Sequence, residues 1–303
     1  LTYPTIASIT PTTGSGASNA VDYPAVVDAG DLLLLFYATD DNETIVTADF
    51  TQIYHEDAGA QGPTLCVGWR KAVGDEDGGT TTVTHATEGF CAEIWRITGA
   101  ADPANQPPEA SAEASGDSVN PNALSLSPTG GAKDYLWISV AANDDDDNVT
   151  GYPANMPDNN AYIQETTVTM GRATDNENVA SFDPAQFTIA ATESWEAVTV
   201  SVPPPADVNV ALVVGNSGAL TAKETAIKAR IEAYGSWDVS VRDDGAAADS
   251  WTTTDYDAVL ISQSVSSANT NWICDDAVGI WTDENGHNNE LDMGTGSGAT
   301  AAQ

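Results

Sequence analysis

The chain has 303 residues, 45 of them Asp or Glu against nine Lys or Arg, for a formal charge of −36. Such a surface repels nucleic acid and anionic membrane, whose binding needs Lys and Arg to displace counterions, and no apolar run is long enough to span a bilayer. Hydrophobic content of 41% is that of a packed protein and excludes a wholly disordered chain. Neighbouring carboxylates still interact across a Debye length of about 8–10 Å, so the composition implies a salty or Ca²⁺-containing extracellular medium. The plainer alternative is an acidic but unspecialised soluble protein. Residue 1 is Leu and no signal-like segment opens the chain; a removed leader or a fragment of a longer product is expected.

Residues 1–20 read as an extended N-terminal segment expected to reach a neighbouring subunit. Its stretch at 10–18, TPTTGSGAS, suits a bare linker or O-linked sugar. From 21 to 202 short runs rich in Val, Ile, Thr, Tyr and Trp recur between turn signals. The clearest predicted strands are Asp31–Thr39, Thr64–Ala72, Thr80–His85, Phe90–Thr98, Asp134–Ala142, Ala161–Met170, Gln186–Ala190 and Trp195–Val202. In one of them Leu65, Val67 and Trp69 share a face; in Trp195–Val200 the alternation is weaker. The Pro-, Ala- and Ser-rich residues 100–122 read as a surface loop. Many short strands without a convincing helix predict an antiparallel, jelly-roll-like β-sandwich.

Pro203-Pro204-Pro205 marks a stiff linker over 203–206. A small α/β domain is expected over 207–290. Val208–Val214 reads as a buried strand, and Gly215-Asn216-Ser217-Gly218 as a turn without the spacing of a nucleotide-binding loop. Thr221-Ala222-Lys223-Glu224 is a capping box, and the helix it opens carries Ala226, Ile227, Ala229 (or Arg230), Ile231 and Tyr234 on one face, with Gly235 as its stop. Trp237–Val241, Ala258–Ser262 and Ala277–Trp281 complete a predicted parallel layer. Residues 291–303 form a polar tail.

Three cysteines leave one unpaired. Cys66 and Cys91 lie in strand-like segments and are read either as a cross-strand bridge or as two small buried apolar groups; Cys274 has no obvious mate. The three histidines, His55, His85 and His287, adjoin no nucleophile motif. With 45 acids, carboxylate pairs are too abundant to mark a glycosidase.

Calcium is the expected ion, since hard cations take six to eight oxygen ligands from loops. Asn143, Asp144, Asp145, Asp146, Asp147 and Asn148 follow a strand directly, and Asp40 and Asp41 stand at another strand's end. Asp243-Asp244 and Asp275-Asp276 are weaker candidates. Sequons at Asn42-Glu43-Thr44 and Asn148-Val149-Thr150 make Asn42 and Asn148 candidate glycosylation sites. Of eight Trp, Trp69, Trp95, Trp137 and Trp195 recur in strands and are expected in the core, whereas Trp237, Trp251, Trp272 and Trp281 are candidates for a subunit contact.

Several segments carry a resemblance. They are Pro24 with Ala29-Gly30-Asp31-Leu32-Leu33, Gly68-Trp69-Arg70-Lys71-Ala72, the run Ala92–Ala100, Leu136-Trp137-Ile138, and Asp183–Thr188 before Trp195. Through them residues 20–204 resemble a β-sandwich module of tail-fibre, appendage and other surface proteins of bacterial and archaeal viruses and their hosts. With Val208–Val214, Ala222–Tyr234 and Tyr256–Ser264, the second part is similar to flavodoxin-like domains of the glutamine-amidotransferase-like kind. The nucleophilic Cys and His–Glu pair of such an enzyme have no counterpart; the region offers Ser262, Ser264 and His287. The resemblance thus implies a non-enzymatic, extracellular structural protein that self-associates into a fibre or virion appendage. The alternatives are a carbohydrate-binding adhesin that contacts surface glycans, and a glycan-active hydrolase.

Overall fold

A computed structural model describes residues 3–41, 43–59, 62–205, 208–232, 237–243, 256–262, 265 and 279–282. The chain divides into two units, 1–205 and 206–303. The first is built from antiparallel sheets.

Its first six strands are β1 (Thr5–Asp22), β2 (Leu32–Thr39), β3 (Val46–Thr47), β4 (Thr51–Asp57), β5 (Thr64–Lys71) and β6 (Thr80–Thr98). They form one sheet, here sheet A, in the order β4-β5-β2-β6-β1, with β3 on the N-terminal half of β6. The next eight are β7 (Glu109–Ala110), β8 (Ala114–Ser118), β9 (Lys133–Asp144), β10 (Val149–Gly151), β11 (Asp158–Gln164), β12 (Val168–Val179), β13 (Thr188–Ile189) and β14 (Glu193–Val202). Sheet B runs β11-β12-β9-β14-β7, with β8 also on β14 and a separate β10–β13 pair.

The two sheets are wound alike. In each, an early strand (β2 or β9) is central, two later strands flank it, and the strands that precede it in the half-chain (β1, or β7 and β8) close one edge. The small β3 pairing on sheet A has its counterpart in β10–β13. β2 and β6 meet β12, β4 and β5 meet β14, β1 meets β11, and β4 meets β7, so the sheets face each other related by a half-turn. The expected jelly-roll winding is therefore corrected: strands do not alternate between sheets, because each half-chain completes one sheet before the next begins.

Matching residues fill the interior. Leu32, Leu34, Phe36 and Ala38 of β2 share one core with Leu136, Ile138, Val140 and Ala142 of β9. The other face of each sheet is also covered: Leu33, Leu35 and Tyr37 pack under Val21, Tyr23, Val27 and Phe50, while Trp137 and Ala141 pack under Leu126, Val149, Met156 and Phe187. Every residue of β2 is buried, which is why its sequence is a continuous apolar run and not an alternation.

Three local differences from the sequence reading have simple causes. The run Ala161–Met170 is two strands, β11 and β12, joined by a turn that contains neither Gly nor Pro. The loop at 100–122 contributes β7 and β8 to the edge of sheet B. Residues 5–22 are extended, but pair along their length with β6 of their own sheet.

The second unit contains β15 (Val208–Val214), α1 (Ala222–Glu232), β16 (Trp237–Asp243), β17 (Ala258–Ile261) and β18 (Gly279–Thr282). The four strands are parallel, in the order β16-β15-β17-β18. Glu224 accepts a hydrogen bond from the Thr221 amide at 2.7 Å while Thr221 Oγ1 accepts one from the Glu224 amide at 3.3 Å, closing the capping box. Ile227 and Ile231 of α1 pack on Val210, Leu212, Val214 and Val239. Gly235, Trp251, Trp272, Cys274, Asp275, Asp276 and His287 lie outside the described residues.

Candidate functional site

The sandwich has two unlike poles. β1 begins beside the end of β6 (Thr5 opposite Thr98), and β14 ends beside the start of β9 (Val202 opposite Leu136). The Ala101 amide donates to the Pro203 carbonyl at 2.9 Å, tying the two together. The chain thus enters and leaves the sandwich at one pole, where β2 and β9 start.

Four of the five Lys and Arg residues of this unit are also at that pole, each engaged. Arg70 pairs with Glu76 at 3.0 Å, Lys71 with Asp102 at 2.6 Å, and Arg96 with Asp28 and Asp31. Lys133 donates to Gln106 Oε1 at 2.8 Å.

The opposite pole, where β2 and β9 end, gathers acids and, among the described residues of this unit, no Lys or Arg. Its centre is built twice from the same pattern: Ala38-Thr39-Asp40-Asp41 across the end of β2, and Ala142-Asn143-Asp144-Asp145 across the end of β9. Asp41 and Asp145 both take the left-handed conformation, with φ of 58° and 60°. Each amide donates to the preceding Asp side chain at 2.9 Å. Thr39 and Asn143 are buried beneath; Thr39 Oγ1 donates to the Gly89 carbonyl at 2.9 Å, and Asn143 Nδ2 to the Asp144 carbonyl at 3.1 Å and the Asp147 carbonyl at 3.3 Å. Gly89 is where the sheets touch, because a Cβ there would collide with Thr167 and Glu165 of the β11–β12 turn.

The half-turn between the sheets brings the two loops together. Burial, and then a hydrogen bond and charge from Asp40, raise the Asp144 carboxyl to about 6. Desolvation and the charges of Asp40, Asp41 and Glu43 raise Glu88; desolvation and Asp147, Asp145 and Asp117 raise Glu193. Like charges crowded this way favour retention of a proton.

The structure therefore unites Asp40 and Asp144, with Asp41 and Asp145 beside them. The Asp147 side chain hydrogen-bonds Glu193, and the loop is held by further contacts. The Asp146 carbonyl accepts from Gln164, the Asp147 carbonyl from Asn143, and the exposed Asn148 side chain accepts from Tyr162 Oη at 2.9 Å. Asn42 lies outside the described residues. Among those residues, no three His, Cys, Asp or Glu side chains are gathered as a metal-binding set. Asp144 interacts with Asp40, and Asp147 in turn with Glu193, so the acids of this pole are electrostatically linked to one another.

Two further carboxyls, absent from the sequence reading, lie between the sheets. Glu93 of β6 pairs with Arg172 of β12 and accepts from Trp95 Nε1 at 2.9 Å, and the guanidinium lies 5.8 Å from the Trp95 ring. Glu196 of β14 accepts from the Tyr54 hydroxyl of β4, whose oxygen also lies 3.3 Å from the Ala197 carbonyl. Burial, reinforced by Glu113 and Glu56, raises Glu196 to about 8 against the opposing pull of Tyr54; its Oε2 has no hydrogen-bond partner. Strand parity could have revealed both residues. Glu93 alternates with Cys91, Trp95 and Ile97, and Glu196 with Val198, Val200 and Val202, all of which face the interior.

Cys66 and Cys91 are free and buried, on opposite faces of sheet A and separated by β2, so the cross-strand bridge is corrected to two buried thiols. Burial pushes both up to about 12. His85 lies under the sheet, its Nε2 2.7 Å from Tyr37 Oη and 2.8 Å from Asn19 Nδ2, and burial lowers its pKa. His55 Nε2 accepts from the Ile45 amide at 3.1 Å. Trp95, Trp137 and Trp195 are buried and Trp69 packs against the core.

No known protein family's sequence profile matches the chain, and no curated protein is significantly similar to it.

Proposed function

We propose that the chain is a non-enzymatic, extracellular structural protein, a subunit of a virion appendage or extracellular fibre. The observation that carries this reading is the polarity of the sandwich. Both chain connections leave one pole, and the carboxylates of Asp40, Asp41, Asp144 and Asp145 crown the other. A module joined to its assembly through one pole presents the opposite one to the medium. Dense negative charge at that tip keeps neighbouring copies apart and soluble and draws cations. In this reading dissolved calcium or another divalent ion bridges Asp40 and Asp144, with water completing its shell. The parallel layer of the second unit, with strand order two-one-three-four, supports a reduced flavodoxin-like α/β domain that serves as a connector. Asn148, exposed on the rim, and Asn42 would carry glycan in a host that glycosylates.

Electron microscopy of the purified full chain with and without millimolar calcium tests the reading. Filaments or particle-bound projections are expected. A monomer at every protein and cation concentration, turning over a glycan substrate, would sink it.

A further inference from the structure

One pocket of the sandwich is lined by polar groups that lack partners. It lies at the pole of the chain connections, encloses about 250 Å³, and is walled by the 105–109 segment, the turn before β9, the first residues of β9 and Pro203. Tyr135 is 2% exposed, yet it lines this pocket, and its hydroxyl bonds to no described residue. Burial, and then the charge of Glu109, raise its pKa, so it stays a phenol able to donate. Beside it, the Lys133 ammonium gives one hydrogen bond to Gln106. Among the described residues of this unit, Lys133 is the one Lys or Arg with no carboxylate at ion-pair distance, in a chain where acids outnumber bases 45 to nine. Gly130 lies between the two. It is not in the left-handed region that Gly131 occupies at φ 68°, so the backbone does not call for glycine there. Space does: a Cβ would stand 2.7 Å from Tyr135 Oη and 3.2 Å from Lys133 Nζ.

Two donors, one of them charged, thus converge on one point, and a carboxylate is the acceptor that suits both. The rest of the wall says what that carboxylate is attached to. Glu109, fixed by the Thr129 amide at 3.0 Å and hydroxyl at 2.8 Å, is an acceptor. The exposed Asn105 side chain both donates and accepts, and Pro107 and Pro203 supply apolar rings. Hydroxyls use donors and acceptors together, whereas an ammonium would engage Glu109 alone. A polyanion is repelled by a chain at −36; a single carboxylate is repelled least at the pole that gathers the cations. We infer that this pocket binds one hexuronate, its carboxylate held between Lys133 and Tyr135 and its hydroxyls on Glu109 and Asn105. The site goes beyond the structural reading above and does not depend on it.

Ligand-observed NMR titration of the full chain with glucuronate tests the site, with glucose and alanine as comparisons. Glucuronate is expected to bind saturably and more tightly than either. Tyr135→Phe, Lys133→Met and Gly130→Ala are each expected to weaken it about tenfold or more, with an unchanged circular dichroism spectrum. The methyl added by Gly130→Ala meets only the ends of the Tyr135 and Lys133 side chains, so this variant keeps the fold if the other two disturb it. A wild-type chain that binds no glucuronate overturns the site and leaves the fibre reading standing. Glucose bound as tightly overturns the carboxylate clamp, and alanine bound as tightly overturns the sugar. Glucuronate binding that survives both Lys133→Met and Gly130→Ala overturns this pocket as its place.

Discussion

Replacing Glu196 by Gln isolates the cost of a buried acid. The carboxyl lies wholly inside the sandwich, shares a hydrogen bond with Tyr54, and has one oxygen without a partner. Its pKa rises from 4.5 to about 8 on folding. An acid raised in this way binds more protons when folded than when unfolded, so its stability contribution is fully present below pH about 4.5 and is lost as pH climbs towards 8. The loss amounts to about 2 kcal/mol by pH 6 and about 4 kcal/mol by pH 8, as upper bounds. Gln has the shape of the protonated acid and does not titrate. Urea unfolding of both proteins at pH 4.5, 6 and 8 should give equal stabilities at the lowest pH and an advantage for Glu196→Gln that widens with pH.

Repulsion among the surface acids also grows with pH, but it is common to both proteins and cancels in the difference. Equal pH slopes for wild type and variant would refute a neutral, buried Glu196. So would a variant less stable at pH 8 than wild type, because that would mean the ionised form is the one held.

Asp144→Asn should stabilise the fold at pH 7 in low salt by about 1–2 kcal/mol after solvent screening, because the Asp144 carboxyl, raised to about 6, loses its contribution as pH rises from about 4 to 6; thermal melts with and without added salt check this, and the gain should shrink at high ionic strength. Chelator should lower the melting temperature of wild type but not of Asp40→Asn with Asp144→Asn, measured by calorimetry. Arg172→Met should cost about 3–5 kcal/mol by stranding Glu93, whereas the joint change with Glu93→Leu should restore most of it. Thiol labelling in native buffer should leave Cys66 and Cys91 unmodified until urea unfolds the sandwich, and intact mass should show no bond between them.

What the sequence disclosed depended on whether the deciding contacts were local. The continuous apolar run of β2 and the capping box of α1 are written in neighbouring residues. β1 is not, because an edge strand of Thr, Ser, Ala and Gly has the composition of a linker. The break between β11 and β12 was hidden for a related reason: Glu165, Thr166 and Thr167 form the turn without Gly or Pro. The repeated architecture was masked by divergence, since Leu32, Leu34, Phe36 and Ala38 share only a pattern with Leu136, Ile138, Val140 and Ala142. The acids after each strand were visible as loops, but their meeting depends on a half-turn that no local pattern encodes.

That half-turn explains why the two acidic loops are found face to face. In a two-fold arrangement, a feature at a strand end near the axis meets its own equivalent, so an acid repeated in both halves is brought against itself. Asp40 and Asp144 occupy this position, where burial and the Asp40 carboxyl hold the Asp144 carboxyl above its usual range. Farther in, Glu93 reaches Arg172 and Glu196 reaches Tyr54, each from one sheet to the other. These two links occupy different positions in the two halves, unlike the rim pair. They make the halves non-interchangeable: a second copy of either sheet would lack the partner its buried carboxyl requires, and stranding that carboxyl costs more than the link itself contributes. Polar contacts across the core thus favour pairing of A with B.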